Sequence, residues 1–197
     1  MPTPDRTSLD AIVIAARDLL ETEGLGGLTM QAVAERVGVR APSLYKRVRN
    51  REKLVALVAD ATLRELGSRV EEAAGPPGDD PQQELRRLAR AARAFAHERP
   101  AGFRLVFAPG AEVRLAGDSL IAASAPVLRV AAELAGDEHA LHAARTFTAW
   151  ANGFVSMELA GAFRLGGDVE DAFEFGLQSL SRALSRPADE PIESAAG

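Results

Sequence analysis

The chain has 197 residues, of which 47% are apolar, 26% are charged and none is cysteine. A chain of this length buries roughly 70% of its unfolded surface on folding, so its composition excludes a mainly disordered protein. The lack of cysteine excludes disulfide frameworks, thiolate metal sites and cysteine nucleophiles. No apolar run approaches the roughly 18 residues that span a bilayer, and the first residues lack a signal-peptide pattern, so we expect a cytoplasmic location.

Basic residues are concentrated in one short segment, although the formal net charge of the chain is −5. Residues 36–53 contain seven basic side chains and one acidic side chain, whereas residues 54–197 contain 14 basic and 21 acidic ones. A basic segment on an acidic body suits a protein that contacts phosphate groups with one surface only. Taken alone, such a cluster is equally well explained as a solvated helix face.

Helical spacing of apolar residues dominates the first part of the chain, and strand signals are weak throughout. Apolar residues recur every three or four positions over 9–23, after Ser8 and before Gly24, which predicts a first helix. A second helix is predicted from a Thr29 cap to Arg36, followed by a turn at Gly38. A short third helix is predicted over 41–48, with Pro42 in its first turn, and a fourth helix from an Asn50 cap to about Ala74.

The strongest break in the sequence lies at 75–81, where glycine, proline and aspartate cluster. Beyond it, helices are predicted over 81–98, 100–107, 112–135, 138–164 and 169–185. Pro126 predicts a kink or a break within the third of these. The chain is therefore predicted to be all-α, with about nine helices and a flexible tail over 188–197.

The order of elements over 29–51 is that of a helix-turn-helix unit. In such a unit the second short helix enters the major groove of DNA, and the small residues Ala41, Pro42 and Ser43 at its start allow the backbone to approach the bases closely. Phosphate contacts are predicted for polar and basic side chains at the end of this helix and the start of the next: Tyr45, Lys46, Arg47 and Arg51.

Residues 28–55, with the sequence LTMQAVAERVGVRAPSLYKRVRNREKLV, resemble the tetracycline-repressor (TetR) family of bacterial transcriptional regulators. The matching positions are Leu28-Thr29, Val33-Ala34, Val37-Gly38-Val39, Leu44-Tyr45, Asn50-Arg51 and Leu54, while Val48 stands where Phe is more usual. The resemblance implies phosphate contacts for Thr29, Tyr45, Lys46 and Arg51, and base contacts for Gln31, Arg40, Ala41 and Ser43. Thr29 caps its helix with or without DNA, and a half-buried core position is the alternative for Tyr45.

The short helix that enters the major groove, here called the reading helix, must be present in two copies to read a symmetric DNA site. The rest of the chain is large enough to supply the contact between the two copies. We predict a helix-turn-helix domain over 1–53 and a helical ligand-binding and dimerisation domain over 54–187. Two apolar stripes predict a homodimer through the last two long helices, and the resemblance implies the same arrangement: Phe147, Trp150, Phe154, Met157, Phe173, Leu177, Leu180 and Leu184. The alternative is that these stripes form core within one chain.

The segment Thr146–Leu177 further resembles a C-terminal domain of one branch of the family, which is named for a Trp-His-Gly pattern. Trp150 and Gly153 are present, and Asn152 occupies the position of the histidine. Such a domain implies a cavity for a small-molecule effector of unknown class. The candidate ligand contacts are Phe103, Arg104, Phe107, Trp150, Asn152, Phe154 and Met157, with Phe95 and Glu158 as further candidates, and packing or surface exposure is the alternative for each.

The sequence thus predicts a ligand-responsive, homodimeric repressor of a pseudo-palindromic operator. No enzyme signature is present, and no metal or cofactor is predicted, because His139 and His142 lack a further placed ligand. The alternative is a helical small-molecule-binding protein without specific DNA binding. A third possibility keeps DNA binding but activates transcription or responds to no diffusible ligand.

Overall fold

The computed structural model of the chain describes residues 8–76, 79–107, 113 and 115–185, and within these ranges it contains nine α-helices and no strand. They are α1 (Leu9–Gly27), α2 (Met30–Val37), α3 (Ala41–Tyr45), α4 (Arg51–Ala73), α5 (Pro81–Glu98), α6 (Pro100–Phe107), α7 (Gly117–Ala135), α8 (Ala140–Leu159) and α9 (Val169–Leu184). The all-α prediction and its helix number are confirmed. The predicted tail over 188–197 lies outside the described residues.

Local capping chemistry sets the first helix boundaries. The side chains of Ser8, Thr29 and Asn50 each accept a hydrogen bond from the backbone N–H three residues later, at 3.1, 3.1 and 2.9 Å. Each bond satisfies a donor that has no partner inside its helix. Gly38 ends α2 with φ of 74°. This backbone conformation favours glycine, because a residue that carries a Cβ atom is strained in it. The predicted caps and the glycine turn are therefore confirmed.

Several predicted helix ends differ from the observed ones. The predicted stop at Gly24 is confirmed as an interruption, because this residue has φ of 70° and non-helical backbone angles, but a further helical segment extends α1 to Gly27. The short helix α3 ends at Tyr45 instead of 48, and α8 ends at Leu159 instead of 164, just before Gly161 with φ of 62°. The predicted break at Pro126 is wrong, because α7 continues through this proline as one helix, while a kink at this position stays a prediction.

Close backbone contacts divide the described chain into two compact units. One contains the described residues up to Ser68 together with Ala94–Ala123, and the other contains Arg69–Arg93 together with the described residues from Ser124 onwards. The two units alternate along the sequence, so the predicted functional division between residues 53 and 54 stays a prediction.

Among the described helices none alone is long and apolar enough to cross a membrane. Helices α7 and α8 meet that criterion only as a pair, and the pair is bent by 119°.

The first unit is built on a core shared by α1, α2, α3 and α4. Its completely buried members larger than alanine are Ile12, Leu28, Val33, Leu44, Leu54 and Val58. Burying a side chain of this size stabilises a fold by about 1.5–3 kcal/mol. Because Leu44 and Val33 both enter this core, the predicted core role of these two residues is confirmed, and the orientation of α3 relative to α2 is fixed.

Candidate nucleic-acid interface

The outer face of α3 carries small side chains and one cation. Leu44 anchors the helix in the core, while Arg40 and Pro42 are exposed and Ala41 and Ser43 are half-buried. Arg40 occupies the N-cap position of α3, but its side chain makes no capping bond. A narrow helix tip with little side-chain bulk is the shape that a major groove admits.

Polar and basic side chains surround this tip. Tyr45 is 53% exposed, so it does not occupy the half-buried core position that was its alternative. Lys46 directly follows α3 and is exposed, as is Arg49. The exposed Thr29 hydroxyl accepts the capping bond of α2 and keeps its own O–H as a donor for a phosphate oxygen. These groups form a rim of hydrogen-bond donors and positive charge beside α3.

Gln31 lies on the exposed side of α2, one turn from Glu35. Its side-chain Nε2 donates a hydrogen bond of 2.6 Å to the Glu35 carboxylate. The amide oxygen of Gln31 remains an acceptor, so the side chain retains a group that reads a base-edge donor.

Arg51 differs from the other cations of the basic segment in being half-buried. Its Nε donates to the carbonyl oxygen of Leu28 at 2.9 Å, and its Nη2 donates to that of Leu25 at 2.7 Å. The guanidinium therefore joins the start of α4 to the segment between α1 and α2. No local sequence pattern indicated this contact, since the partners lie 23 and 26 positions away.

A second contact that sequence reasoning missed links α1 to α6. The Glu21 carboxylate accepts hydrogen bonds from the backbone N–H groups of Ala101 and Gly102, at 3.0 and 2.9 Å. These amides lie in the first turn of α6, where no intrahelical acceptor is available. A carboxylate also interacts favourably with the positive end of the helix dipole. Glu21 thus caps a helix that begins about 80 residues later in the chain.

The predicted effector contacts fall in both units. Phe103 and Phe107 lie in the first unit, with ring centroids 4.5 Å apart, and Arg104 on the same helix is exposed. Met157, in the second unit, is 49% exposed, and Asn152 accepts a hydrogen bond from Ser156 at 3.3 Å. None of these observations identifies a ligand, so the effector contacts stay a prediction.

Trp150 and Phe154 belong to an aromatic cluster formed by α8, α9 and the segment between them. The Trp150 ring lies 5.5 Å from Phe173 and 5.8 Å from Phe154, and Phe154 lies 4.8 Å from Phe163. A Cβ on Gly176 would stand 2.4 Å from Cζ2 of Trp150, so the indole packs directly on the backbone of α9. This contact makes Trp150 part of the packing between α8 and α9.

An ion-pair network fastens α5 to the same two helices. Arg93 makes two hydrogen bonds to Glu158, at 2.7 and 2.9 Å, and another to Glu170, while its guanidinium lies 4.5 Å from the Phe173 ring centroid. Both partners of the Arg93–Glu158 pair have only 13% of their side chains exposed. The hydrogen bonds to Glu158 outweigh desolvation and raise the pKa of Arg93 above its usual range. The predicted polar anchor Glu158 is therefore engaged within the chain.

Three of the eight apolar stripe residues predicted for dimerisation are buried within the single chain, whereas four are half-buried and Met157 is exposed, so the dimer contact through these helices stays a prediction. Phe147 is 3% exposed, and Phe173 and Leu177 are completely buried within the single chain. These three side chains are therefore unavailable to a second copy. The helical period identified an apolar face correctly, but the face of α9 that carries Phe173 and Leu177 packs inside its own chain.

Comparison with known proteins agrees with this geometry. Residues 6–58 match the family described as "Bacterial regulatory proteins, tetR family", and residues 85–180 match "Tetracyclin repressor-like, C-terminal domain". The C-terminal match leaves the Trp-His-Gly branch a prediction. An uncharacterized HTH-type transcriptional regulator of Mycobacterium tuberculosis is 30% identical over 166 residues, which cover 80% of this chain and 73% of the relative. The class E tetracycline repressor of Escherichia coli is 40% identical over 58 residues, 29% of this chain and 28% of that protein.

Solved structures extend the similarity to almost the whole chain. The TetR Q116A protein of Acinetobacter baumannii AYE in complex with minocycline is 25% identical, with a TM-score of 0.71 over 93% of this chain and 99% of its own. A possible TetR family transcriptional regulator from Streptomyces coelicolor A3(2) is 26% identical, with a TM-score of 0.70 over 91% and 98%. Sequence, helix-turn-helix geometry and relatives agree that the chain belongs to the TetR family of DNA-binding transcriptional regulators, which are not enzymes.

Proposed function

We propose that this regulator is a homodimeric repressor of a pseudo-palindromic operator and that a small-molecule effector releases it. The observation that carries the proposal is the small-residue start of α3, where Pro42 is exposed and Ala41 and Ser43 are half-buried. The exposed Tyr45 and Lys46 flank it. Each copy places this tip in a major groove, and the two grooves lie on one face of the duplex. The acidic remainder of the chain keeps the other surfaces away from phosphate.

Base and phosphate contacts have different tasks in this assignment. Phosphate contacts hold the protein in register and supply most of the salt-dependent affinity, while base contacts select the sequence. We assign phosphate contacts to Thr29, Tyr45 and Lys46, and contacts with base edges to Gln31, Arg40, Ala41, Pro42 and Ser43. Six of these residues are exposed, which supports their access to DNA: Thr29, Gln31, Arg40, Pro42, Tyr45 and Lys46.

Selection of bound duplexes from a random-sequence pool tests specific DNA binding. We expect enrichment of an inverted repeat whose half-sites are separated by about one helical turn, roughly 10 bp, or a multiple of it. Absence of any enriched sequence against competitor DNA would favour the alternative function, a helical small-molecule-binding protein without specific DNA binding.

Two variants test the phosphate contacts on the enriched duplex. Tyr45→Phe and Lys46→Ala are expected to weaken binding to all sequences alike, and Lys46→Ala is expected to reduce the salt slope by about one unit for each phosphate that the variant no longer binds. Ser43→Ala is expected to change base preference instead. Arg104→Ala, at an exposed cation of α6 in the same unit, is the matched control and should leave the slope unchanged.

Dimerisation is proposed to use the outer faces of α8 and α9, opposite the buried stripe. These faces are lined by small exposed side chains together with one exposed phenylalanine: Ala149, Gly153, Ser156, Ala172, Phe175 and Ser179. Small side chains allow two copies to approach closely, and Phe175, which is 73% exposed, offers a large apolar group for burial.

A substitution at Gly153 tests the dimer. A Cβ at this position meets nothing within 4 Å, so a longer side chain is compatible with the fold of one chain. Gly153→Arg is expected to yield a folded monomer by sedimentation analysis, with reduced affinity for the inverted repeat. Gln83→Arg, on an exposed position of α5, is the control and should remain a dimer. A dimer unchanged by Gly153→Arg would contradict the assigned faces.

Release by an effector is proposed to be a shift of population. The effector binds more tightly to a conformation in which the two α3 helices are wrongly spaced for the two major grooves. It shifts the equilibrium towards that conformation only as far as the difference between its affinities for the two conformations allows. The related Acinetobacter baumannii protein was solved in complex with minocycline, which supports a small-molecule effector for this chain, and we assign the effector site to 54–187. We propose that the protein acts in the cytoplasm, where its operator is accessible.

A further inference from the structure

We propose that Arg51 is a positioning residue, which orients the reading helices through main-chain contacts, and that it does not hold a DNA phosphate. This inference rests on the proposed docking of α3, but it assigns a different role to one of the cations that the sequence analysis predicted to contact phosphate. The first observation is geometric: Nε and Nη2 donate in a fork to the carbonyl oxygens of Leu28 and Leu25, at 2.9 and 2.7 Å. A planar guanidinium is suited to such a forked contact, whereas an ammonium group is not.

The location of Arg51 in α4 supports the same role. Arg51 is the first residue of this helix, immediately after the Asn50 cap, so its charge lies at the positive end of the helix dipole. A cation is unfavourable at that end. Leu25 lies in the last turn of α1, after the interruption at Gly24, and Leu28 directly follows the helix. Carbonyl groups at such a helix end lack intrahelical donors. The contact therefore gives the guanidinium of Arg51 two main-chain acceptors in the segment that leads to α2.

The bonded segment leads directly into α2. Leu28 is completely buried, and it precedes Thr29, whose N–H donates to the carbonyl of Gly27 at 2.8 Å and whose side chain caps α2. Fixing the carbonyl of Leu28 thus fixes the direction in which α2 begins. Since α2 and α3 share one core, the guanidinium of Arg51 sets the orientation of the reading helix relative to α4.

Arg51→Lys separates the two roles, because lysine retains the charge but cannot form the fork. Binding is measured against salt concentration on the enriched inverted repeat and on a random-sequence duplex of the same length. A positioning role predicts that Arg51→Lys loses about tenfold or more in affinity for the inverted repeat, while the salt slope on both duplexes remains that of the wild type. Lys46→Gln is the matched comparison, and it should lower the slope on both duplexes.

Two outcomes would overturn the inference. One is wild-type affinity of Arg51→Lys for the inverted repeat, since the charge at this position would then be sufficient without the fork. A salt slope in Arg51→Gln that falls as it does in Lys46→Gln would further assign that charge to a phosphate. The other needs no variant: the Nε–H resonance of Arg51 in the wild-type protein should exchange slowly with water before DNA is added and shift little afterwards. Protection that arises only on adding DNA would assign Arg51 to phosphate.

Failure of the proposed function has a different signature. If the wild-type protein enriches no sequence, specific DNA binding fails, and the Nε–H exchange in the DNA-free protein still tests whether the fork exists. If the wild type binds its inverted repeat and Arg51→Lys binds equally well, the docking mode stands and the positioning role fails. The two ideas are therefore tested separately.

Discussion

The contact between Glu21 and the first turn of α6 offers a sharp test of how the DNA-reading unit is held together. Its carboxylate accepts two backbone hydrogen bonds, from Ala101 and Gly102. The approach is close, since a Cβ on Gly102 would stand 3.0 Å from both the Glu21 carboxylate and a methyl group of Thr62. A glutamate at position 21 and a glycine at position 102 thus allow α1, α4 and α6 to meet.

The expected effect of Glu21→Gln follows from the two bonds. Hydrogen bonds to charged groups contribute about 1.5–3 kcal/mol each, against about 1 kcal/mol for neutral ones. Glutamine keeps one acceptor oxygen, so one neutral bond replaces two charged ones, and the free energy of unfolding should fall by about 2–5 kcal/mol. For a chain of this size each 1 kcal/mol corresponds to about 2–4 °C in Tm, so the transition should fall by at least about 4 °C.

Thermal unfolding followed by circular dichroism measures this change, and hydrogen exchange locates it. The amides of Ala101 and Gly102 should exchange faster in Glu21→Gln than in the wild type. Glu23→Gln is the control, because Glu23 lies exposed on the same helix, and surface substitutions of this kind change stability by about 0.5 kcal/mol or less. Equal Tm values for the two variants, or unchanged exchange of the two amides, would refute the cap.

Two further predictions concern the second unit. Gly176→Ala should destabilise the chain by about 1–3 kcal/mol in denaturant titration, because the new Cβ overlaps Trp150, whereas Gly117→Ala, which meets nothing within 4 Å, should cost no stability. A hydrogen bond from Arg90 lowers the pKa of the Glu174 carboxyl in the folded chain. The ionised carboxylate therefore stabilises the fold fully above the ordinary pKa of about 4.5, and this stabilisation is lost as the pH falls through the lowered pKa of the folded state. Glu174→Gln should therefore lower Tm at neutral pH but not at strongly acidic pH, and a pH-independent difference would contradict the pairing.

Local rules account for the parts of the fold that the sequence predicts well. The caps at Ser8, Thr29 and Asn50 and the turn at Gly38 depend on residues within three or four positions, so a single stretch of sequence contains all the information. The placement of α3 follows from the same rules, since the spacing of Leu44 from the other core residues leaves Pro42 and Tyr45 exposed and Ser43 half-buried. The candidate DNA interface is therefore recognisable from the order of the residues alone.

Long-range contacts account for what the sequence did not predict. Arg51 reaches carbonyl groups 23 and 26 positions away, and Glu21 reaches amides 80 and 81 positions away, so no local spacing indicates either contact. Its charge, its place at the start of a helix and the family resemblance made Arg51 a candidate for a phosphate contact. The stripe containing Phe173 and Leu177 shows a related limit, because periodicity identifies an apolar face but not whether it packs within one chain or against a second copy.

Hydroxyl-radical footprinting of the purified protein on its enriched duplex tests the central claim most directly. Two copies that each insert α3 into a major groove should protect two windows on the same face of the duplex, separated by about one helical turn, roughly 10 bp, or a multiple of it, and related by the symmetry of the inverted repeat. A single protected window, protection on opposite faces, or uniform weak protection along the duplex would contradict the paired reading of the operator.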